Sequence, residues 1–201
     1  MAGFAEMTLL RYLHHLDKDI TLCINACGGP GTDWFWQVCS DRFVWIPFYA
    51  LVAFFLFKRL GWKKAAVCVL ACVLTLVACD QLGNLVKHSV QRLRPCWDSG
   101  MLERGLRVLE AKGGQYGFFS SHAANTAGFA ACTLKLFRMD SSHGYRVYGG
   151  IAFLWTALVG ISRVFVGKHF LGDVLAGFAV GLVAGIVIAV LSKMIVRRFS
   201  L

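Results

Sequence analysis

Three short polar clusters interrupt an otherwise apolar chain, and their residue types suit one kind of chemistry. The first, Lys87 to Pro95, places Lys87 and Arg94 seven residues apart. Seven residues are two helical turns, so both cations share a face, and Pro95 then discourages further helix. The second cluster, Phe118-Phe119-Ser120-Ser121-His122, opens an apolar stretch. The third begins at Ser162-Arg163 and closes on His169 and Asp173, four apart, which sets a carboxylate one turn from an imidazole.

A phosphoryl group spreads negative charge over its equatorial oxygens, and its transfer needs positioning and charge stabilisation above all. Lys87, Arg94 and Arg163 offer the positive field, the arginines with forked donors. Ser120 and Ser121 stand where a helix begins, and free N–H groups at a helix start bind anions. Of two imidazoles, a neutral one attacks and a charged one donates a proton. Asp173 next to His169 would fix its tautomer and stabilise the charge it acquires. Taken singly the clusters are ordinary: span-end Lys and Arg usually snorkel, and His-x3-Asp is a common surface pair. Their coincidence is the signal. An ionisable group at mid-bilayer costs about 2.5–3.5 kcal/mol on insertion scales, so a concentration of them implies a function.

The elements that must carry these groups are apolar helices. Of 201 residues, 57% are hydrophobic and 16% charged, against about 45–50% and about 25% in soluble domains. Stretches free of Asp, Glu, Lys and Arg run Phe43–Phe57, Ala65–Cys79, Gly113–Leu134, Val147–Ser162 and Val174–Ser192. Snorkelling ends such as Arg42, Lys58 and Lys64 lengthen the shorter ones towards the ~20 residues that a span requires. The expected fold is all-α: one membrane-embedded domain over 1–201, with a 43–195 bundle of about five transmembrane helices. Residues 1–42 form an amphipathic or interfacial N-terminal region. In it Leu9, Leu13, Leu16, Ile20 and Cys27 recur near helical spacing, with Glu6, Arg11, His15 and Lys18 largely off that stripe. An ordinary helix packed on the bundle fits the same pattern. Thr32-Asp33 is placed to cap a short Trp-rich helix, and no basic-then-apolar signal peptide opens the chain.

Five spans put the 87–116 and 162–173 connections, and so all three clusters, on one side of the membrane. The other side collects Lys58, Arg59, Lys63, Lys64, Lys135, Arg138, Arg146, Lys193, Arg197 and Arg198 with one acid, Asp140. Short-loop basic bias marks that side as cytoplasmic, so the site is expected at the outer helix ends, facing the periplasm or exterior of a bacterial inner membrane. The formal charge of +10 then suits anionic lipid head groups; with basic residues at span ends, no nucleic-acid-binding face remains. The eight cysteines contain no CxxC and read as small core hydrophobes. Gly177, Gly181 and Gly185 form a small-xxx-small packing ridge.

Lys-x6-Arg-Pro, then Ser-x-His, then Ser-Arg-x5-His-x3-Asp resembles the type 2 phosphatidic acid phosphatase superfamily, which holds membrane lipid phosphatases and soluble vanadium-dependent haloperoxidases. The resemblance spans about Asp80 to Gly185. It implies that Lys87, Arg94, Ser120, Arg163 and the Ser121 N–H bind phosphoryl oxygens. It makes His169 the nucleophile, forming a phosphohistidine, His122 the acid for the leaving oxygen, and Asp173 the residue that orients His169. The family's usual Pro-Ser-Gly-His reads Phe119-Ser120-Ser121-His122 here, which adds a side chain where backbone approaches phosphate.

The activity implied is metal-independent hydrolysis, without a cofactor, of a phosphomonoester or diphosphate head group. Undecaprenyl diphosphate, phosphatidylglycerol phosphate, phosphatidic acid and lipid A phosphates are the candidate substrates. The alternative is a phospholipid-binding or transport protein that uses the cations without chemistry, although His122 and the His169–Asp173 pair have no task in it. Haloperoxidase chemistry conflicts with the multi-span character. The 96–116 segment is either a lid over the head group or a solvated loop.

Overall fold

A computed structural model describes residues 2–199, with side chains from Leu9 onward, so Glu6 lies outside the described side chains. Seven α-helices follow one another: α1 (Ala2–Ala26), α2 (Asp33–Ser40), α3 (Ile46–Val90), α4 (Ser99–Glu103), α5 (Ser121–Phe137), α6 (Arg146–Phe165) and α7 (Leu171–Arg198). No strand occurs among the described residues.

α3 is two membrane-crossing limbs. Gly61 breaks it with φ 75° and ψ 165°, a conformation open to glycine. Ile46, Tyr49 and Leu56 of the first limb line one groove with Val69, Cys72 and Leu76 of the second. A straight helix would hold Ile46 and Leu76 about 45 Å apart at 1.5 Å per residue, so the limbs fold back on each other. With α5, α6 and α7 this gives five apolar helical limbs, the same number as the charge-free runs. The third begins at Ser121, where Ser120-Ser121 is expected to open a helix, although the charge-free run starts earlier, at Gly113. Residues 113–120 are instead irregular backbone beneath the site.

α5 is the central post. Twelve of its seventeen residues are buried, many of them Ala, Gly or Thr, and its neighbours are α3, α6 and α7. The Gly177-Gly181-Gly185 ridge of α7 lies against it: a Cβ on Gly177 would stand 2.5 Å from the Ser120 carbonyl oxygen, and those on Gly181 and Gly185 closer still to the Ala124 and Gly128 oxygens. Small residues thus let the two backbones meet. Shielded by its neighbours, α5 needs no lipid-facing apolar surface. By contrast α3, α6 and α7 turn Leu70, Leu74, Leu154, Val183 and Leu191 outward. In a lipid-embedded bundle such residues are the solvated face.

Six of the eight cysteines are buried and all are free thiols; Cys23 and Cys27 are exposed on α1. Cys68, Cys72 and Cys132 join Leu56, Phe129, Leu136, Trp155 and Val159 in the main core.

α1 is docked by its polar face. Lys18 pairs with Asp98 at 2.5 Å and Asp19 with Arg104 at 2.7 Å. Asn25 accepts from the Arg107 N–H at 2.8 Å and donates to the carbonyls of Val164 and Phe165. Its predicted apolar stripe, Leu9, Leu13, Leu16 and Ile20, stays exposed. This orientation suits a helix lying at the lipid interface. α2 forms where predicted and stacks Trp36 on Phe165 at 3.8 Å, but Thr32 gives no side-chain cap. Asp33 pairs with Arg107 instead.

Candidate active site

The first two clusters are joined by backbone pairing. Gln91 takes a left-handed conformation (φ 53°) that ends α3. The Arg94 N–H then donates to the Gln115 carbonyl at 3.0 Å, and the Gly117 N–H to the Arg92 carbonyl at 2.9 Å. Gly117 has to be small: a Cβ there would lie 2.8 Å from Arg94 Cγ and 3.3 Å from Asp173 Oδ2. The second and third clusters meet where the Ser120 N–H donates to the Asp173 carbonyl at 3.0 Å. At Gly167 (φ 76°) the chain reverses against the Arg107 carbonyl, where a Cβ would fall 2.5 Å from the oxygen. The Lys168 and His169 N–H groups then close on the Arg163 carbonyl at 3.0 and 3.2 Å.

A cavity of about 300 Å³ results, lined by Lys87, Arg94, Ser121, His122, Arg163 and His169 among others. Six of the eight residues expected from sequence therefore share one wall. The other two stand behind it. Ser120 is fully buried and caps α5, its hydroxyl accepting from the Ala123 N–H at 3.4 Å. Asp173, also fully buried, lies 3.4 Å from His169 Nδ1 through Oδ2, which also accepts from the Phe170 N–H at 3.1 Å. With Nδ1 turned to the carboxylate, Nε2 is the ring nitrogen left for the cavity.

Electrostatics tune the imidazole. Burial, then the charges of Arg163, Arg94, Lys87 and Lys168, hold the His169 pKa well below its usual 6.5. The ring is thus neutral, the form with a free lone pair. Burial also lowers the Arg94 pKa, yet guanidinium stays charged at any physiological pH.

Several contributors carry no motif. Arg163 donates to the Ser40 hydroxyl and, at 3.4 Å, to Glu110, while Ser40 donates to Glu110 at 2.5 Å. Lys168 donates to the Ala111 carbonyl and, at 2.8 Å, to that of Lys112. The 96–116 segment is therefore tied to the site by its own backbone and by Glu110, which is more than a solvated loop does. Arg42, Trp45, Tyr49, Asp80 and Asn125 also line the wall, Asn125 donating to Asp80 at 3.0 Å. None of these five residues belongs to the three polar clusters.

At the opposite end of the bundle Arg59 meets His143 at 2.8 Å. The basic 58–64 and 135–146 connections therefore lie together, away from the cavity.

Residues 65–197 match the PAP2 superfamily. The chain belongs to it. A curated relative, the lipid A 4'-phosphatase of Porphyromonas gingivalis, is 30% identical over 177 residues, 88% of this chain and 72% of that protein. The crystal structure of the PAP2-type phosphatidylglycerolphosphate phosphatase of Bacillus subtilis is similar in fold, with a TM-score of 0.71 at 20% identity over 92% of this chain and 88% of that one. LpxE of Aquifex aeolicus is also similar, with a TM-score of 0.59 at 23% identity over 85% and 92%. This chain is thus a member of a family of membrane lipid phosphatases, and it spans the membrane.

Proposed function

We propose that the protein hydrolyses a phosphate monoester of a phosphorylated glycolipid of the lipid A type, releasing inorganic phosphate, at the outer face of a bacterial inner membrane and without a metal. The observation that carries this reading is the shared cavity of Lys87, Arg94, His122, Arg163 and His169. The choice of substrate follows the relative aligned over 88% of the chain.

In this mechanism Lys87, Arg94 and Arg163 hold the phosphoryl oxygens, helped by the Ser121 N–H at the start of α5. His169 Nε2 attacks phosphorus, and the bond from phosphorus to the sugar oxygen breaks as His122 passes that oxygen a proton. Asp173 stabilises the charged phosphohistidine ring. Water, losing a proton to His122, then attacks phosphorus, frees inorganic phosphate and restores the His169 lone pair. The arriving anion favours the protonated His122 that the first step requires. A cavity lined by three cations attracts phosphate and repels a metal ion, which supports direct catalysis by the side chains.

Phosphate release from lipid A, phosphatidylglycerol phosphate and undecaprenyl diphosphate in detergent tests the proposal. Lipid A is expected to turn over fastest, and His169→Ala to lower every rate by roughly 10⁴-fold or more. Retained turnover in His169→Ala would remove the nucleophile. A tenfold preference for either other substrate would replace the lipid while leaving the chemistry.

A further inference from the structure

The first cluster contains a cation that the reaction above leaves unused. Arg92 sits between Gln91, which ends α3, and Leu93, and its side chain turns away from the cavity wall. Its NH1 donates to Asp173 Oδ1 at 2.6 Å and its NH2 to Asp17 Oδ2 at 2.6 Å. The guanidinium lies over the Phe170 ring, 4.3 Å from its centroid. Asp17 belongs to α1, and its other oxygen accepts from the Gly172 N–H, in the first turn of α7, at 2.8 Å.

Asp173 alone is an incomplete partner for His169. A fully buried carboxylate needs a cation and filled lone pairs to persist, and the imidazole contact is long and neutral. Arg92 supplies the cation and, by gripping Oδ1, fixes the plane in which Oδ2 faces the ring. NH1 and NH2 each donate to a carboxylate, and Arg92 does not line the cavity where a substrate oxygen would lie. Asp17 in turn fixes the fork while bonding the same first turn of α7 that carries Asp173.

We propose that Arg92, held by Asp17 of the N-terminal helix, is a positioning residue that keeps Asp173 aligned on His169. The proposal rests on His169 being the nucleophile. It makes α1 part of the catalytic apparatus: a helix whose apolar stripe faces outward reaches the nucleophile through Asp17, Arg92 and Asp173.

Steady-state kinetics of the full chain in detergent, on lipid A and on a soluble aryl phosphate, test this. Arg92→Gln is expected to lower kcat roughly 10- to 100-fold, the usual effect of losing a partner behind an active residue, with KM within about threefold on both substrates. Asp17→Asn keeps an acceptor for Gly172 but loses its charge, and is expected to lower kcat roughly 2- to 30-fold. Adding Asp17→Asn to Arg92→Gln is expected to change little more, because Asp17 acts through Arg92. Arg92→Lys should restore part of kcat. Asp19→Asn breaks another tie of α1, to Arg104, and should leave kcat within about twofold, which separates helix docking from alignment.

Multiplying effects of Asp17→Asn and Arg92→Gln, or a loss confined to KM, would overturn the positioning role. So would full activity of Asp17→Asn and Arg92→Gln beside an inactive Asp173→Asn. An active His169→Ala would instead defeat the mechanism beneath it. If Arg92→Gln fails to fold, Asp17→Asn and Arg92→Lys still decide: wild-type kcat in both rejects the proposal.

Discussion

The Lys87 ammonium donates to the Ser121 hydroxyl at 2.6 Å, in space that Gly83 leaves open. A Cβ on Gly83 would stand 2.7 Å from that hydroxyl oxygen. The serine that replaces the family's usual glycine is therefore accommodated by a glycine on the facing helix, and it occupies one of the three donors of Lys87.

From this pair comes a reciprocal test. Gly83→Ala should crowd Ser121 and cost about 1–3 kcal/mol, the usual range for overpacking, with a lower midpoint of thermal unfolding in detergent. Ser121→Gly in the same chain should restore most of that midpoint. No restoration would mean that the crowding lies elsewhere.

The pH profile follows from the surroundings of His169. Its folded pKa is below 6.5, so the neutral nucleophile persists below that value and the acidic limb of kcat/KM due to His169 lies under about pH 6.5. Lys168→Gln removes one of the charges that oppose protonation, so the limb should move upward. A downward move would contradict the sign. The same shift bears on stability: the unfolded chain takes up the proton first, so this contribution is full above about pH 6.5 and is lost as pH falls towards the folded pKa.

Glu110 and Ser40 both accept from Arg163 NH1, and Ser40 donates to Glu110 in turn. Glu110→Ala should let the guanidinium move and lower kcat/KM by roughly 10- to 100-fold, the effect of losing an orienting partner. Phosphate-release assays check it, and an unchanged value would leave the 96–116 segment with no part in positioning Arg163.

Activity should survive EDTA. No group of three or more His, Cys, Asp and Glu suited to a metal occurs among the described residues. Inhibition reversed by added metal would require a different mechanism.

Much was legible in the sequence because each signal was local. Apolar runs bounded by charge set the crossings, since a bilayer tolerates little else. The Gly177-Gly181-Gly185 spacing named a packing ridge, and the spacings within each cluster named Lys87, Arg94, His122, Arg163, His169 and Asp173 as a set. Ser120 and Ser121 marked the start of the third crossing, while the pairing of the charge-free 113–120 segment with the backbone of Arg92 and Arg94 carried no signal in the sequence.

Tertiary structure alone decided the partners. That Ser40 and Glu110 grip Arg163, and that Asp17 reaches Asp173 through Arg92, depends on residues 53 to 123 positions apart along the chain for Arg163 and 75 to 81 for Arg92. Periodicity reports which face of a helix is apolar, but not which charge from another helix will meet a given arginine. Residue type and spacing thus determined the chemistry available to this chain. Close approach through glycine, and pairing at buried ends, decided which groups line the cavity and which stand behind it.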